Sequence, residues 1–441
     1  MTGPGHARRR ALTALQRVRR GEAVNEALGK AFQDQPLSLA DRHLATQMVY
    51  GVLRHRRYLD AWMKPWVRGR LSRDVQDILR MGFFQMGFLD RVPAYAVVHA
   101  AVELTKETEP PAANLVNAVL RRAMGHPPQN LPLSVRYSHP EWIVERWRQR
   151  YGRDLETILA VDQAIPPLTL RVNRLRTSRQ DVLRALAALG TVAEPSRYLP
   201  EAIRVTGSLW LEGFAPYQRG EVSVQDESGM VVAWVAVSGV GGEPAQAAAV
   251  LDLAAGRGGK TLHVLERQPN AQVVAVDRSA RRLEDLQHNA QRAGLWERIS
   301  VVHTDARDYG QEHPNAFDRV ILDAPCTGLG VLRRKVDARW RKRAADLTVL
   351  AGLQRELLLA AWRALKPGGA LIYSTCSVEP EETVEQMEWA LSRLEGIALD
   401  FPVRDLPAPE LAGLVRGGML SMVPGTLGMD GFFIARLIKE V

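Results

Sequence analysis

The chain has 441 residues, room for about three domains at roughly 150 residues each. Apolar residues make up 46% and charged residues 24%, and the 35 Gly and 25 Pro recur without period, which excludes a wholly disordered chain and a collagen-like or low-complexity fibre. The formal charge is +9, and residues 1–130, with 20 basic and 11 acidic side chains, hold all of that excess. Such asymmetry points to a polyanion, most naturally nucleic acid; a cationic surface that only aids solubility is the plainer alternative. The longest near-apolar run, Val231 to Val240, is half of the roughly 20 residues that a membrane span needs, so no membrane segment is expected. The basic first residues lead into no apolar core and do not read as a secretory signal. Two cysteines cannot build a disulfide framework, and a reducing cytoplasm is the expected home.

Residues 7–126 are predicted to be helical throughout. Leu12, Leu15 and Val18, then Leu44, Met48, Val49 and Val52, then Ile78, Leu79, Phe83 and Met86 recur at spacings of three and four. The prolines after Gly125 end this first domain, 1–126. Residues 127–221 are predicted to form a linker and a small α/β RNA-binding module. Its elements are a helix over Glu141–Leu159, a strand at Leu168-Thr-Leu-Arg-Val, a helix over Arg179–Leu189 capped by Ser178, and short strands at Ile203–Val205 and Leu209–Leu211. Arginine clusters recur at Arg171, Arg174, Arg176 and Arg179, and again at Arg333, Arg334, Lys335, Arg339, Arg341, Lys342 and Arg343. The planar guanidinium fork suits phosphate.

From about Val222 the texture becomes alternating strand and helix. Val250-Leu-Asp-Leu, Val273-Val-Ala-Val, Ile299-Ser-Val-Val, Arg319-Val-Ile-Leu and Ala370-Leu-Ile-Tyr are short apolar runs, with helical segments at Lys260–Leu265, Ala280–Ala293 and Leu347–Leu365. Gly431-Phe-Phe-Ile-Ala-Arg-Leu reads as a last strand. Repeated βα units predict a mostly parallel, doubly wound, Rossmann-like sheet over 222–441.

After the first of these strands comes Asp252-Leu-Ala-Ala-Gly-Arg-Gly-Gly-Lys-Thr261. A glycine-rich turn between strand and helix lets backbone amides approach a ligand. Asp277 closes the second strand, 21 residues beyond Gly256, where an acid can accept ribose hydroxyls. Asp305 ends the third, placed to meet an adenine edge. A phosphate-binding loop would need a glycine where Ala254 stands, although Gly259-Lys260-Thr261 fits, and a dinucleotide site would need one where Thr261 stands. S-adenosyl-L-methionine, a nucleoside without phosphate, fits better than either. The plainer alternative is a tight turn with surface acids.

The only cysteines, Cys326 in Leu322-Asp-Ala-Pro-Cys-Thr-Gly and Cys376 in Tyr373-Ser-Thr-Cys-Ser, each follow a predicted strand. In a parallel sheet the carboxyl ends of strands face the ligand crevice, so both thiols are expected beside the cofactor. A lone cysteine is ordinarily a small buried apolar residue. Two of them among small polar residues at strand ends point to covalent chemistry instead, and neither has a second ligand at zinc spacing, so no metal is expected. Carbon 5 of cytosine is not nucleophilic by itself. A thiolate added at carbon 6 makes the ring an enamine, whose carbon 5 displaces the methyl group. Asp323, three residues before Cys326, is placed to hydrogen-bond the ring nitrogen.

Asp323-Ala-Pro-Cys326-Thr-Gly and Ser374-Thr-Cys376-Ser resemble the paired signature motifs of RNA cytosine-5 methyltransferases. Asp252 through Thr261, Asp277, Asp305, Gln225-Asp226-Glu-Ser228 and Asp430-Gly-Phe-Phe433 are similar to further motifs of that family. The helical residues 7–126 resemble the NusB-type antitermination factor. The combination, over nearly the whole chain, resembles bacterial 16S rRNA methyltransferases of the Sun type. The resemblance implies Cys376 as nucleophile and Cys326 as the thiol that assists product release. It implies a cofactor pocket of Ala254, Ala255, Gly256, Arg257, Gly258, Gly259, Lys260, Asp277, Asp305 and Asp323, with Lys260 near the target base. Two departures stand out: Gly256-Arg257 replaces the family's Ala-Pro, and Lys335-Val336 stands where His-Pro is common. The expected partner is 16S ribosomal RNA, bound by a monomer. A non-catalytic RNA-binding or antitermination factor and a P-loop NTPase are the competing readings.

Overall fold

Amphipathic spacing folds the N-terminal residues as predicted. Helices span His6–Arg19, Val24–Gln33, Leu39–Met63, Arg73–Phe88, Ala94–Thr108 and Ala113–Ala123 in the computed structural model, which describes residues 6–33, 37–240 and 249–441. Ser38 and Ser72 cap the third and fourth, their hydroxyls accepting from the amides of Asp41 and Val75. Met48, Val49, Leu79, Phe83 and Val116 fill the core between them. Among the described residues no helix is long and apolar enough to cross a membrane.

The chain divides into two compact units, Met1–Ile165 with Leu332–Lys342, and Pro166–Val331 with Arg343–Val441. Residues 127–165 therefore lie in the first unit and 166–221 in the second. The helix predicted over 141–159 is two, Glu141–Tyr151 and Leu155–Gln163, parted at Gly152 (φ 50°). Within the first unit, Arg339 is fully buried and donates to the carbonyls of Ser138, Asp162 and Leu332 at 3.1–3.2 Å. Arg54 donates to the Arg333 carbonyl at 3.0 Å and the Trp340 indole to that of Leu53 at 2.7 Å. The second arginine cluster is thus only partly open to a polyanion: Arg333 and Arg339 are buried, whereas Lys335, Arg341 and Arg343 are exposed.

The second unit opens with a small antiparallel sheet of β1 (Leu168–Val172), β2 (Ala193–Pro195), β3 (Ala202–Val205) and β4 (Val222–Val224), in the order β2-β3-β1-β4. Ser178 caps the helix Arg179–Ala188 as predicted. No strand forms at 209–211; the chain makes a short turn of helix there, Leu211–Gly213, with Gly213 under the Trp210 ring. β2 and β4, three residues each, are too short to show a period in the sequence.

The larger sheet is mostly parallel. Its strands are β5 (Ala249–Asp252), β6 (Gln272–Asp277), β7 (Ile299–His303), β8 (Phe317–Asp323), β9 (Leu365–Thr375), β10 (Ile397–Leu399), β11 (Val415–Arg416), β12 (Met419–Met422) and β13 (Phe432–Lys439). Among the described residues the order is β11-β12-β13-β9-β8-β5-β6-β7, with β10 on β13. β5 to β9 pair in parallel, and β13 returns antiparallel to β9. Successive side chains enter opposite cores. Val250, Ile321 and Ile372 share one cluster with helix Glu227–Val237, while Leu251, Val320 and Leu371 share another with helix Ala345–Ala364. Burial on both faces is why these strands read as continuous apolar runs. The order of strands reverses between β5 and β8, the place where open α/β sheets bind ligands.

The first arginine cluster is likewise largely engaged within the protein and not offered to a polyanion. Arg171 is 1% exposed and forms a two-bonded pair with Glu266 at 2.8 and 2.9 Å, and it donates to the Gly259 carbonyl at 2.7 Å and to Gln225. Arg176 holds the carbonyls of Arg219 and Arg292, and Arg179 those of Ser196 and Leu199. Arg171 ties the small sheet to the glycine-loop helix, Arg176 ties it to the end of helix Ala280–Ala293, Arg179 braces the small module itself, and Arg174 has none of these bonds. Removing one partner of a buried ion pair strands the other, at a cost of about 3–5 kcal/mol. Arg171→Ala should lose that much in a denaturant titration. Burial raises the Glu266 carboxyl, so the loss should shrink in acid, where that group takes up a proton.

Candidate active site

Parallel pairing puts the carboxyl ends of β5, β6, β8 and β9 at one edge. At β5, the buried Asp252 accepts from the Thr261 hydroxyl at 2.6 Å, and burial pushes its carboxyl up to about 6. The glycine loop then turns through left-handed Gly256 and Gly258 (φ 55° and 83°) into helix Gly259–Arg267. A Cβ built on Gly259 would meet nothing within 4 Å, so the backbone there is open to a ligand. Asp277, at the end of β6, accepts from the amides of Gly256 at 3.0 Å and Ser279 at 2.8 Å. A carboxylate has about four acceptor positions, so capacity remains for hydroxyls. Asp305 caps helix Ala306–Glu312, and Arg307 engages both of its oxygens, which draws the carboxyl down to about 2. Arg257 is exposed and pairs with Asp285 at 3.1 Å.

Lys260, which a phosphate-binding loop would aim at its ligand, instead pairs with Asp323 at 2.6 Å and lies 5.4 Å from the centre of the Phe432 ring. The other Asp323 oxygen accepts from the Ser374 hydroxyl at 2.8 Å. Acids at the strand ends and an engaged lysine suit a hydroxyl-rich ligand without phosphate. Ala254 and Ala255 complete the turn, Ala255 donating to the Val276 carbonyl at 3.0 Å. The amide of Asp430, in the closing Asp-Gly-Phe-Phe run, meets the Asp226 carboxylate at 3.4 Å, which joins two of the sequence motifs.

β8 and β9 run in register, Asp323 opposite Ser374. The loops that follow must therefore leave the sheet side by side, and the sulfurs of Cys326 and Cys376 stand 3.4 Å apart. A disulfide would be about 2.05 Å; these are free thiols, both half-buried. Backbone bonds stitch the loops together: Ala324 N–H to the Ser374 carbonyl at 2.9 Å, Gly330 N–H to that of Cys376 at 3.0 Å, and Gly431 N–H to that of Gly330 at 2.7 Å. Gly330 admits no side chain, since a Cβ would fall 2.3 Å from the Gly431 oxygen.

Sequence reasoning missed Glu382. This fully buried carboxylate accepts from the amide and hydroxyl of Thr327 and from Gln354, whose amide also donates to the Pro325 carbonyl at 2.9 Å. The Tyr373 hydroxyl donates to the Glu382 carbonyl at 2.9 Å. One carboxylate thus anchors the loop of Cys326 beside that of Cys376. Burial raises it, against the bonds from Ser377 and Thr327. Its signal, one acid within Glu379-Pro-Glu-Glu382, is indistinguishable in sequence from solvated helix-start acids.

A family model described as "16S rRNA methyltransferase RsmB/F" matches residues 242–438, one described as "NusB family" matches 6–125, and one for an RsmF/B-like ferredoxin-like domain matches 139–211. Ribosomal RNA small subunit methyltransferase B of Xylella fastidiosa (strain 9a5c) is 38% identical over 91% of this chain and 92% of its own. The protein of the same name from Escherichia coli O6:K15:H31 is 34% identical over 96% of each. The crystal structure of PH0851 aligns over the full length of both chains with a TM-score of 0.82 and 25% identity.

Loss of the Glu382 carboxylate strands the buried Thr327 amide, a penalty of about 1–3 kcal/mol. Glu382→Ala should lower stability by that amount and speed alkylation of both cysteines, with Glu382→Gln retaining most of each property; denaturant titration and timed alkylation check the pair of effects.

Proposed function

Because the chain belongs to the RsmB/F family of 16S rRNA methyltransferases, with a NusB-type region ahead of its catalytic domain, we propose that it methylates carbon 5 of a cytosine in that RNA. The observation that carries this reading is the pair of free thiols 3.4 Å apart, at the sheet edge that also holds Asp323 and Lys260. In this reading residues 1–126 and 127–221 engage the RNA, and residues 222–441 hold the chemistry. Ala254 to Lys260 cradle S-adenosyl-L-methionine, Asp277 takes its ribose hydroxyls, and Asp305 and Asp323 complete the pocket. When bound, that cofactor supplies an electrophilic methyl group.

The target base must leave its stack to reach the edge of the sheet. Cys376, as thiolate, adds to carbon 6 and forms a carbon–sulfur bond, and the electron pair of the 5,6 double bond becomes available at carbon 5. Asp323 and the ring nitrogen share one proton, which the nitrogen gains as carbon 6 is attacked, and Lys260, paired with Asp323, supplies the positive charge that offsets the charge developing on the ring. Once carbon 5 carries the methyl group its proton passes to a base, the carbon–hydrogen electron pair re-forms the 5,6 double bond, and Cys376 departs as thiolate with the electrons of the carbon–sulfur bond. Cys326, in contact with that sulfur, assists the departure. Ser374 and Glu382 act on position alone, the first by holding Asp323 and the second by holding the loop of Cys326.

Cys376→Ala should lower methylation at least about a thousandfold while S-adenosyl-L-methionine still binds, as read by methyl incorporation into 16S rRNA and by calorimetry. Cys326→Ala should accumulate an RNA–protein adduct on a denaturing gel. Full activity of Cys376→Ala would overturn the assignment.

A further inference from the structure

The helical unit holds an open cleft of about 590 Å³ whose lining includes His55, Tyr58, Trp62, Phe88, Arg136 and Tyr137. That volume lies within the range of about 300–1,000 Å³ typical of ligand sites. Its walls are aromatic rings in contact: His55 tilted on Phe88 at 4.1 Å between centres, and Phe88 edge-to-face with Tyr58 at 5.9 Å and Tyr58 with Trp62 at 6.2 Å. Phe88, at 37% exposure, presents a large ring to solvent.

The polar groups of the cleft are oriented. The Gln163 oxygen accepts from the buried Arg339, so its amide nitrogen donates, to the Arg54 carbonyl at 3.0 Å and to His55 Nδ1 at 2.8 Å. His55 therefore carries its proton on Nε2, and burial holds the ring neutral by drawing its pKa down to about 3. Arg136 is exposed, and its pairing with the equally exposed Glu156 is of the weak, exchangeable kind. Among the described residues the carboxylate at the rim is that of Glu156, which accepts from Arg136 and from the Tyr137 hydroxyl at 2.9 Å, and residues 1–130 carry the whole +9 excess.

We infer that this cleft binds one unstacked nucleobase of single-stranded ribosomal RNA, remote in sequence from the methylation motifs. An exposed aromatic face such as that of Phe88 holds a base of any sequence by its π-face, while a neutral imidazole and a cation at the rim serve its edge and its phosphate. An aliphatic groove for a protein helix would offer none of this. The inference rests on the family's ribosomal RNA substrate and not on the cysteine chemistry, so the test reads binding alone.

The probe is an unstructured 12-nucleotide RNA carrying one 4-thiouridine, with the full-length chain. Irradiation should cross-link residues within 55–62 or 84–88. Phe88→Ala should weaken binding about tenfold, and Phe88→Leu should weaken it as much, because leucine restores bulk but no π-face. The salt slope should not change, since no phosphate contact is removed. Cross-links confined to other segments, or unchanged affinity in both variants, would overturn the inference. So would full affinity in Phe88→Leu, which would mark the cleft as a seat for apolar side chains. Cross-linking of the unaltered chain decides the question even where a variant fails to fold.

Discussion

The pairing of β8 with β9 is the interaction on which the candidate site depends. Parallel strands joined in register finish within a residue of each other, and Asp323 opposite Ser374 is the last rung that these two share. Every later feature is counted from that rung. Cys326 stands three residues beyond it on one strand and Cys376 two residues beyond it on the other, and the backbone bonds between the loops allow neither to drift. The Ser374 hydroxyl and Lys260 fix the Asp323 carboxylate at the rung itself. The sulfurs come together because the sheet delivers them, with no covalent link between them.

What holds the loops is a buried charge. Carboxylates are costly to bury unless fully bonded, and Glu382 is held by Thr327 and Gln354. The same economy appears at Arg171 with Glu266 and at Arg339 among backbone carbonyls. The glycine loop is tied back in this way through the Gly259 carbonyl to Arg171.

These buried charges are also what the sequence conceals. Helical spacing, βα alternation, the glycine loop and the paired cysteine motifs are local patterns, and the helices and parallel strands stand where those patterns place them. Arg171 and Arg339 read as part of basic, phosphate-seeking clusters because a partner 95 or more positions away leaves no local trace. Glu382 reads as a helix-start acid for the same reason. β2 and β4 escape notice because three residues show no alternation, and the pairing that makes them strands comes from β3 and β1. The N-terminal charge excess remains on the surface in part only: some arginines that raise it are structural, and aromatic rings make up the open cleft of that unit.

The proposed chemistry turns on a bond between one particular sulfur and a pyrimidine ring. Fluorine at carbon 5 cannot leave as a proton, so RNA bearing 5-fluorocytidine at the target should arrest the reaction with the ring still attached. Peptide mapping of protein arrested in this way, in the presence of S-adenosyl-L-methionine, is predicted to find the nucleotide on Cys376. Attachment at Cys326, or no attachment by protein that methylates the unsubstituted RNA, would contradict it.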